Sequence, residues 1–312
     1  MIRVAAIGEC MLELTHRDER SLALGYGGDT LNTALYLART AGKRGIAVDY
    51  VTALGDDPMS ETMISAWQAE GIGTGRVARL PGRLPGLYLI RTGDSGERRF
   101  FYWRSEAAVR SLFITAETAP LLAALTADYD AVYFSGVTLA VLASEARERF
   151  RAALANARSR GRLVVFDTNY RPALWPEPAA ARRVFAEFLP VISLALPTFE
   201  DERAVCGDSD PATTARRYAA SGVPEIAVKR GAHGCVILAG GALTNVPVPK
   251  PVTAVDTTAA GDGFNAGYLA ARLAGASPSQ AARAGHGLAG AVVQYPGAII
   301  PRAATPTLEQ LI

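Results

Sequence analysis

Residues 256–264, DTTAAGDGF, carry the clearest chemical pattern in this sequence. The carboxylate of Asp262 follows a run of small residues and precedes an apolar stretch that predicts a helix. Small residues let backbone N–H groups crowd around an anion, and a helix that begins there adds the positive end of its dipole. Asp262 could then take a proton from a hydroxyl group while the N–H groups of residues 260–262 hold the phosphate that this hydroxyl attacks. The pattern predicts phosphoryl transfer to an alcohol, with a plain helix cap as the structural alternative.

A second polar pattern, YGGDTLN, lies near the start of the chain at residues 26–32. The paired glycines Gly27 and Gly28 let a ligand approach the backbone closely. Asp29 and Asn32 could hydrogen-bond the vicinal hydroxyls of a polyol. A turn followed by a helix that Asp29 caps would account for the same residues without any ligand.

Charged residues also follow two of the predicted strands. Residues 167–171, DTNYR, come directly after an apolar strand, and Arg171 could grip a carboxylate or a phosphate with two parallel hydrogen bonds. Residues 228–234, VKRGAHG, form a glycine-rich turn in which Lys229 and Arg230 offer charge to the phosphates of a nucleotide. Parallel sheets keep their ligand sites beyond the carboxyl ends of the strands, which favours a functional role for both loops. The structural alternatives are a surface ion pair and a solvated hairpin.

One region of the sequence predicts a β-hairpin. Residues 87–91 and 99–104 flank a turn-like Gly-Asp-Ser-Gly at 93–96, and residues 12–15 are a candidate partner strand. The high content of Tyr and Arg favours a lid over a cleft, while an ordinary edge hairpin packed on the core is the alternative.

The hairpin also carries residues that suit a sugar acid. Strand periodicity places Tyr102 and Arg104 on one face and Trp103 on the other. Together with Tyr88, this face would present phenols to hydroxyl groups and one guanidinium to a carboxylate. Aromatic packing with a solvent-facing Arg would explain the same pattern.

Predicted strands and helices alternate along the chain. Strands are predicted at 130–135, 163–166 and 191–196, and helices at 144–160 and 213–221. Such alternation implies parallel crossovers and predicts an α/β fold, a doubly wound sheet with helices on both faces. The first strand lacks the GxGxxG motif that opens a helix in dinucleotide-binding dehydrogenases, so that class is disfavoured.

Composition excludes several functional classes. The chain has 312 residues, of which 49% are hydrophobic and 20% charged, and this predicts a soluble globular protein of one or two domains. The net charge of +2 gives no support for binding nucleic acid or an anionic membrane. Three scattered cysteines, Cys10, Cys206 and Cys235, disfavour zinc and suit a reducing cytoplasm. No signal peptide and no apolar run of about 18 residues are found.

Together these motifs resemble those of the ribokinase-like (PfkB) family of carbohydrate kinases, over essentially the whole chain. Gly-Gly-Asp-x-x-Asn at 27–32 and Asp-Thr-x-Ala-Ala-Gly-Asp at 256–262 correspond to that family's two signatures. Several segments are most similar to the members that phosphorylate the sugar acid 2-dehydro-3-deoxy-D-gluconate, namely residues 27–33, 84–88, 101–104, 169–172, 228–231 and 297–302.

The resemblance implies a ribokinase-like, three-layer, Rossmann-type α/β sandwich with a small β-sheet lid. It implies one kinase domain over residues 1–312, with the lid built from about residues 10–25 and 84–106 and often used for dimerisation. ATP and Mg²⁺ are the implied cofactors, with K⁺ as a candidate monovalent activator. The implied reaction is phosphorylation of the terminal (6-) hydroxyl of the sugar acid. A kinase for a neutral sugar such as fructose or ribose, and a non-catalytic sugar or nucleotide sensor, are the alternatives.

The resemblance also implies roles for individual residues. Asp262 is the expected base, with Gly261 and Ala260 beside it in the anion hole. Substrate contacts are expected from Gly28, Asp29, Asn32, Tyr88, Tyr102, Arg104, Arg171 and Asp262. Contacts to ATP are expected from Asn169, Arg171, Lys229, Arg230, Gly231, Gly234, Ala259, Ala260 and Gly261. Asp201 stands where many members carry a glutamate close to metal-bound waters, and Asp256 lies in the region of the monovalent cation.

Overall fold

Two β-sheets and a set of helices make up the part of the chain that the computed structural model describes, residues 1–18, 20–92 and 98–312. The turn predicted at 93–96 lies outside these residues. The strands are β1 Ile2–Ile7, β2 Met11–His16, β3 Leu22–Gly27, β4 Ile46–Gly55, β5 Val77–Leu80, β6 Leu87–Thr92, β7 Arg98–Trp103, β8 Ala131–Ser135, β9 Leu163–Asp167, β10 Leu194–Ala195, β11 Glu225–Lys229, β12 Cys235–Ala239 and β13 Ala242–Val246. The α-helices are α1 Asp29–Ala41, α2 Pro58–Ala69, α3 Leu121–Ala127, α4 Gly136–Val141, α5 Ser144–Ser159, α6 Pro178–Phe188, α7 Phe199–Cys206, α8 Pro211–Ala220, α9 Ala260–Leu273, α10 Pro278–Val292 and α11 Leu308–Leu311.

The large sheet has the strand order β13-β12-β11-β10-β9-β8-β1-β4-β5. Neighbours from β11 through to β5 pair in parallel, whereas β12 and β13 are added in antiparallel pairing at one edge. Because β8 and β4 lie on opposite sides of β1, the crossovers diverge at β1 and leave a crevice beyond the carboxyl ends of the strands. The predicted doubly wound α/β sheet is confirmed.

Helices cover both faces of the large sheet, which gives three layers. Successive side chains of β1 alternate between the two cores: Val4 and Ala6 enter one, and Ala5 and Ile7 enter the other. The first core is closed by α1, α9 and α10 and the second by α5, α6 and α8. A sheet that is buried on both faces requires nearly continuous apolar strands, and this explains the uninterrupted apolar runs in the sequence.

The small sheet has the order β3-β2-β6-β7 and grows out of the large one just after β1. Strands β6 and β7 are antiparallel, and Leu12 of β2 lies beside Leu87 of β6 in a parallel pair. The predicted hairpin strands and their partner are therefore confirmed. On one face Tyr88 is paired with Tyr102, so both phenols point the same way.

Two local expectations were wrong. The strand predicted at 191–196 shrinks to β10, because Leu189–Val191 form a 3₁₀ turn around Pro190, which has no N–H for a ladder. Asp29 does not cap α1: Gly28 occupies the cap position, and the carboxylate of Asp29 accepts a hydrogen bond from Asn169 Nδ2 at 2.6 Å instead.

In the described ranges, no helix combines the length and the hydropathy that crossing a bilayer requires.

Candidate active site

The N-terminus of α9 is built as an anion site. Ala259 precedes the helix with φ of 59°, a left-handed conformation that costs a non-glycine residue about 1–2 kcal/mol and is found where function constrains a loop. The N–H of Ala260 donates to Thr257 O at 3.2 Å. Gly261 and Asp262 follow in the first turn, where N–H groups have no acceptor inside the helix. The two later N–H groups are therefore better placed than that of Ala260 to bind an anion.

Asp262 lies almost completely buried at this helix terminus, with 8% of its surface exposed. Its Oδ2 accepts a hydrogen bond from Asn32 Nδ2 at 2.8 Å, and this contact joins the two sequence signatures. Burial, followed by the charge of Asp29, raises the pKa of Asp262 to about 7, against the smaller opposing effects of Asn32 and Lys229. A carboxylate that titrates near neutral pH is suited to accept a proton from a hydroxyl group.

A cavity of about 700 Å³ opens beside Asp262, between the large sheet and the small sheet. It brings together every residue that the sequence assigned to the sugar, and its lining includes Gly28, Asp29, Asn32, Tyr88, Tyr102, Arg104, Arg171 and Asp262. Arg104 lies with its guanidinium carbon 5.8 Å from the centre of the Tyr102 ring. Arg171 Nη1 donates to Tyr170 O at 3.2 Å. Two cations and several hydroxyl-binding groups thus share one cavity with the buried base.

The loop that follows β9 forms one wall of this first cavity. Asn169 has φ of 31° and donates to Asp29, and Tyr170 N donates to Asp201 Oδ2 at 3.1 Å. Asn169, which the sequence assigned to the nucleotide, lines the first cavity beside Arg171. Burial, and then the charge of Asp167, raises the pKa of Asp201 to about 6. Asp201 therefore fixes the backbone of this loop.

A second cavity of about 380 Å³ lies on the other side of the α9 terminus. Among the residues assigned to ATP, its lining includes Lys229, Gly231, Gly234, Ala260 and Gly261. Ala259 lines the first cavity instead. The guanidinium of Arg230 donates to His233 O at 2.6 Å and to Asn245 Oδ1, which ties down the glycine-rich turn.

Lys229 brings a positive charge next to the α9 terminus. Its Nζ lies 3.1 Å from Asp167 Oδ1 and donates to Asn265 Oδ1 at 2.9 Å, and a Cβ atom at Gly261 would lie 3.6 Å from this nitrogen. Asn265 in turn donates to Asp167 Oδ2 at 2.7 Å. The ammonium group is therefore buried, paired and oriented towards the anion site.

Asp256 organises the loop before α9. Its Oδ1 accepts hydrogen bonds from Thr258 N at 3.0 Å and from Thr258 Oγ1 at 2.7 Å, and its Oδ2 accepts one from Gly297 N at 2.8 Å. The last contact ties the signature loop to the C-terminal segment. No group of three or more His, Cys, Asp or Glu side chains that could hold a metal ion occurs among the residues described.

The two cavities meet at the helix terminus, with Asp262 facing one and Gly261 facing the other. Residues 1–305 match the pfkB family of carbohydrate kinases. This chain belongs to that family. The fold and the kinase activity that the sequence predicted are thereby confirmed.

Several curated relatives of this PfkB kinase are named 2-dehydro-3-deoxygluconokinase. The one from Escherichia coli (strain K12) is 43% identical over 307 residues, covering 97% of this chain and 99% of the relative. The one from Haemophilus influenzae is 39% identical over 312 residues, covering 99% of each. The crystal structure of a PfkB protein from Polaromonas sp. JS666 superposes with a TM-score of 0.84 at 26% identity, covering 100% of this chain and 99% of that one.

Several residues of the PfkB site were not singled out by their sequence pattern. Glu9 and Glu13 line the first cavity, where Glu13 accepts a hydrogen bond from the Tyr88 hydroxyl and Glu9 pairs with Arg104. His286, which the sequence left without a role, lines the second cavity and packs edge-on against Phe264. Glu9 follows the apolar strand β1 after a single glycine, so its position beyond a strand end was a signal that could have been used.

Proposed function

We propose that this PfkB kinase transfers the γ-phosphoryl group of ATP to the terminal (6-) hydroxyl of 2-dehydro-3-deoxy-D-gluconate. The observation that carries the proposal is one cavity that holds two guanidinium groups, Arg104 and Arg171, together with the buried carboxylate of Asp262. A sugar acid needs a cation for its carboxylate and a base for its hydroxyl, whereas a neutral sugar needs only the base. The two relatives at 39% and 43% identity support the same substrate.

In this proposal the residues around α9 perform the chemistry. Asp262 takes the proton of the sugar hydroxyl. The hydroxyl oxygen forms a bond to the γ-phosphorus, and the bond between that phosphorus and the ADP oxygen breaks. The N–H groups of Gly261 and Asp262, with Lys229 beside them, stabilise the charge on the transferred group. Phosphoryl transfer asks a protein mainly for positioning and for such charge stabilisation, and this site offers both.

The second cavity suits ATP. Gly234 has φ of 82° and packs so closely on Val246 and Pro247 that a side chain there would collide with their backbone, which keeps the turn flat beneath a ligand. Mg²⁺ usually keeps several waters and binds substrate phosphates with few protein ligands. Asp201, which the sequence assigned to such waters, lines neither cavity and accepts a hydrogen bond from Tyr170 N, whereas the adjacent Glu200 lines the second cavity. A monovalent cation near Asp256 is tested by replacing Na⁺ with K⁺ at constant ionic strength. Activity that rises with the K⁺ concentration would reveal such a cation.

Substrate contacts follow from the same cavity. Arg104 and Arg171 hold the carboxylate, and Asp29 and Asn32 hydrogen-bond the hydroxyls close to Asp262. Tyr88 and Tyr102 border the cavity from the small sheet, which serves as its lid. Gly28 leaves room for the sugar against the backbone.

A substrate panel tests this function. We expect coupled ADP detection to give the highest kcat/KM with 2-dehydro-3-deoxy-D-gluconate, compared with its galactonate epimer, fructose and ribose. A higher kcat/KM for fructose or ribose would reject the sugar-acid assignment, and no turnover with any sugar would reject the kinase.

The pH dependence of the rate is a second prediction. Because Asp262 must be deprotonated to act as a base and its pKa is raised to about 7, kcat/KM should fall as the pH drops below this value. The measurement is kcat/KM for the sugar acid at saturating ATP from about pH 5 to about pH 9. The pKa of Asp201 is raised to about 6, so this residue could also cause a fall in kcat/KM at low pH. If Asp262 is the base, Asp201→Asn should leave the midpoint of that fall unchanged.

The outer face of the small sheet supports a dimer. Leu24 and Phe101 share one row of this face and are 59% and 44% exposed, and Trp103 in the next row is 59% exposed. A contiguous apolar face of this kind is typical of an interface, and a second copy of the sheet is a self-complementary partner. A solution mass of one 32.9 kDa protomer would contradict the dimer.

A further inference from the structure

Glu9 is a buried acid at the junction of the two sheets. It follows β1 after a single glycine and is 2% exposed. Its Oε2 forms an ion pair with Arg104 Nη2, at the end of β7, and the side chain of Arg104 is 13% exposed. Its Oε1 is buried without a hydrogen-bond partner among the described residues. The ion pair thus connects the segment after β1, an interior strand of the large sheet, to the segment after β7, an edge strand of the small sheet.

Two glycines pack closely against Glu9. A Cβ atom at Gly28 would collide with the backbone oxygen of Glu9, and one at Gly86 would lie 3.0 Å from Glu9 Oε1 and 3.3 Å from Arg104 Cβ. The backbone and the carboxylate of Glu9 are therefore enclosed from both sides. Among the described residues, the charges of Asp29 and Arg110 also act on this carboxylate.

We propose that Glu9 is a positioning residue, which holds the guanidinium of Arg104 in the orientation that receives the carboxylate of the sugar acid. This inference rests on the proposed function and goes beyond it, because Glu9 itself does not bind the substrate carboxylate. Nothing in the signatures or in the relatives' names assigns a role to this residue.

The geometry of the pair favours positioning over competition. An arginine has five N–H donors, and Glu9 engages one nitrogen, so donors remain for a ligand in the cavity. An arginine side chain loses much rotamer freedom when it is fixed, and an ion pair that exists before the ligand arrives removes this cost from binding. Glu9 could act as a competitor for Arg104 only by moving away when the ligand binds, and its enclosure by Gly28 and Gly86 opposes such a movement.

A double-mutant cycle tests the proposal. The variants are Glu9→Gln, Arg104→Ala and the two combined, with kcat and KM measured for the sugar acid and for ATP. In Glu9→Gln we expect KM for the sugar acid to rise about tenfold, since one charge-assisted hydrogen bond is weakened, while kcat and KM for ATP stay unchanged. In the Arg104→Ala background the same change should raise KM no further, because Glu9 acts through Arg104.

Three results would overturn the inference: an unchanged KM in Glu9→Gln, a lowered KM, which would make Glu9 a competitor, or a further rise in the double variant. If Glu9→Gln does not fold, Glu9→Asp keeps the charge and shortens the side chain, and an unchanged KM in that variant overturns the inference as well. Failure of the wild type to use the sugar acid would instead reject the proposed function.

A matched control separates positioning from general stability. Glu70 pairs with Arg39 at 2.6 Å and lines neither cavity. We expect Glu70→Gln to lower the melting temperature without changing KM for the sugar acid. A rise in KM in this variant equal to that in Glu9→Gln would show that loss of any such ion pair has the same effect, and would count against Glu9.

Discussion

Asp262→Asn is expected to lower kcat by a factor of about 10²–10⁴, while the affinity for ATP is retained. The amide keeps the size of the side chain and its contact with Asn32, but it cannot accept the hydroxyl proton. The N–H groups of the α9 terminus are backbone atoms and remain in place, so some charge stabilisation persists. Steady-state kcat with the sugar acid and the Kd of a non-hydrolysable ATP analogue are the measurements.

Thermal unfolding provides a control for Asp262→Asn. The folded-state pKa of Asp262 is raised from 3.8 to about 7, so folding favours the protonated form. The stability that this group contributes is present at low pH and is lost as the pH rises through about 7. The neutral amide should therefore raise the melting temperature at about pH 8 and leave it unchanged at about pH 3.

A second control tests whether the loss of any aspartate impairs turnover. Asp210 is an exposed cap of α8 that accepts a hydrogen bond from Thr213 N at 2.9 Å, and Asn caps a helix equally well. Asp210→Asn should keep wild-type kcat. Turnover at the wild-type rate in Asp262→Asn would remove Asp262 from the role of base.

Arg104→Ala is expected to raise KM for 2-dehydro-3-deoxy-D-gluconate by about 10–100-fold and to change KM for fructose much less. The loss of the guanidinium removes a cation from the carboxylate site, and it also leaves the buried carboxylate of Glu9 without its partner. A neutral sugar has no carboxylate for Arg104 to bind. The rise in KM should therefore be selective for the sugar acid.

The comparison between the two sugars decides this second prediction. An equal rise in KM for the keto acid and for fructose would mean that Arg104 does not recognise the carboxylate. Arg91 is a suitable control because it is exposed on the same small sheet and does not line the cavity. Arg91→Ala removes the same charge from the sheet and should leave both KM values unchanged.

Much of the fold could be predicted from short-range patterns. Apolar runs and helical periodicity over 144–160 predicted α5 within one residue at its C-terminal end, and the strand formers of 99–104 predicted β7. Residues 191–196 were misread because their apolar run resembles a strand, while Pro190 bends the chain just before β10. Local periodicity does not predict how many residues of an apolar run form hydrogen bonds with an adjacent strand.

The candidate site was predictable to the extent that its chemistry is local. The seven residues of 256–262 contain both the small residues and the carboxylate that an anion site at a helix start requires, so the sequence alone determined the reaction class. The residue types of Arg104 and Arg171 likewise indicated an acidic substrate. Their roles depend on which groups surround them, and that is a long-range property.

The contacts between distant residues could be known only from the folded chain. Asn32 and Asp262 are separated by 230 positions and are brought together by the crossovers of the large sheet. Glu9 and Arg104 are separated by 95 positions and meet where the two sheets join. Burial at these meeting points raises the pKa of Asp262 to about 7, which no sequence pattern encodes. An anion-binding helix terminus could be predicted from the sequence, since neighbouring residues suffice to form it. The partners, the burial and the division into two cavities required the folded chain, because they depend on contacts between distant segments.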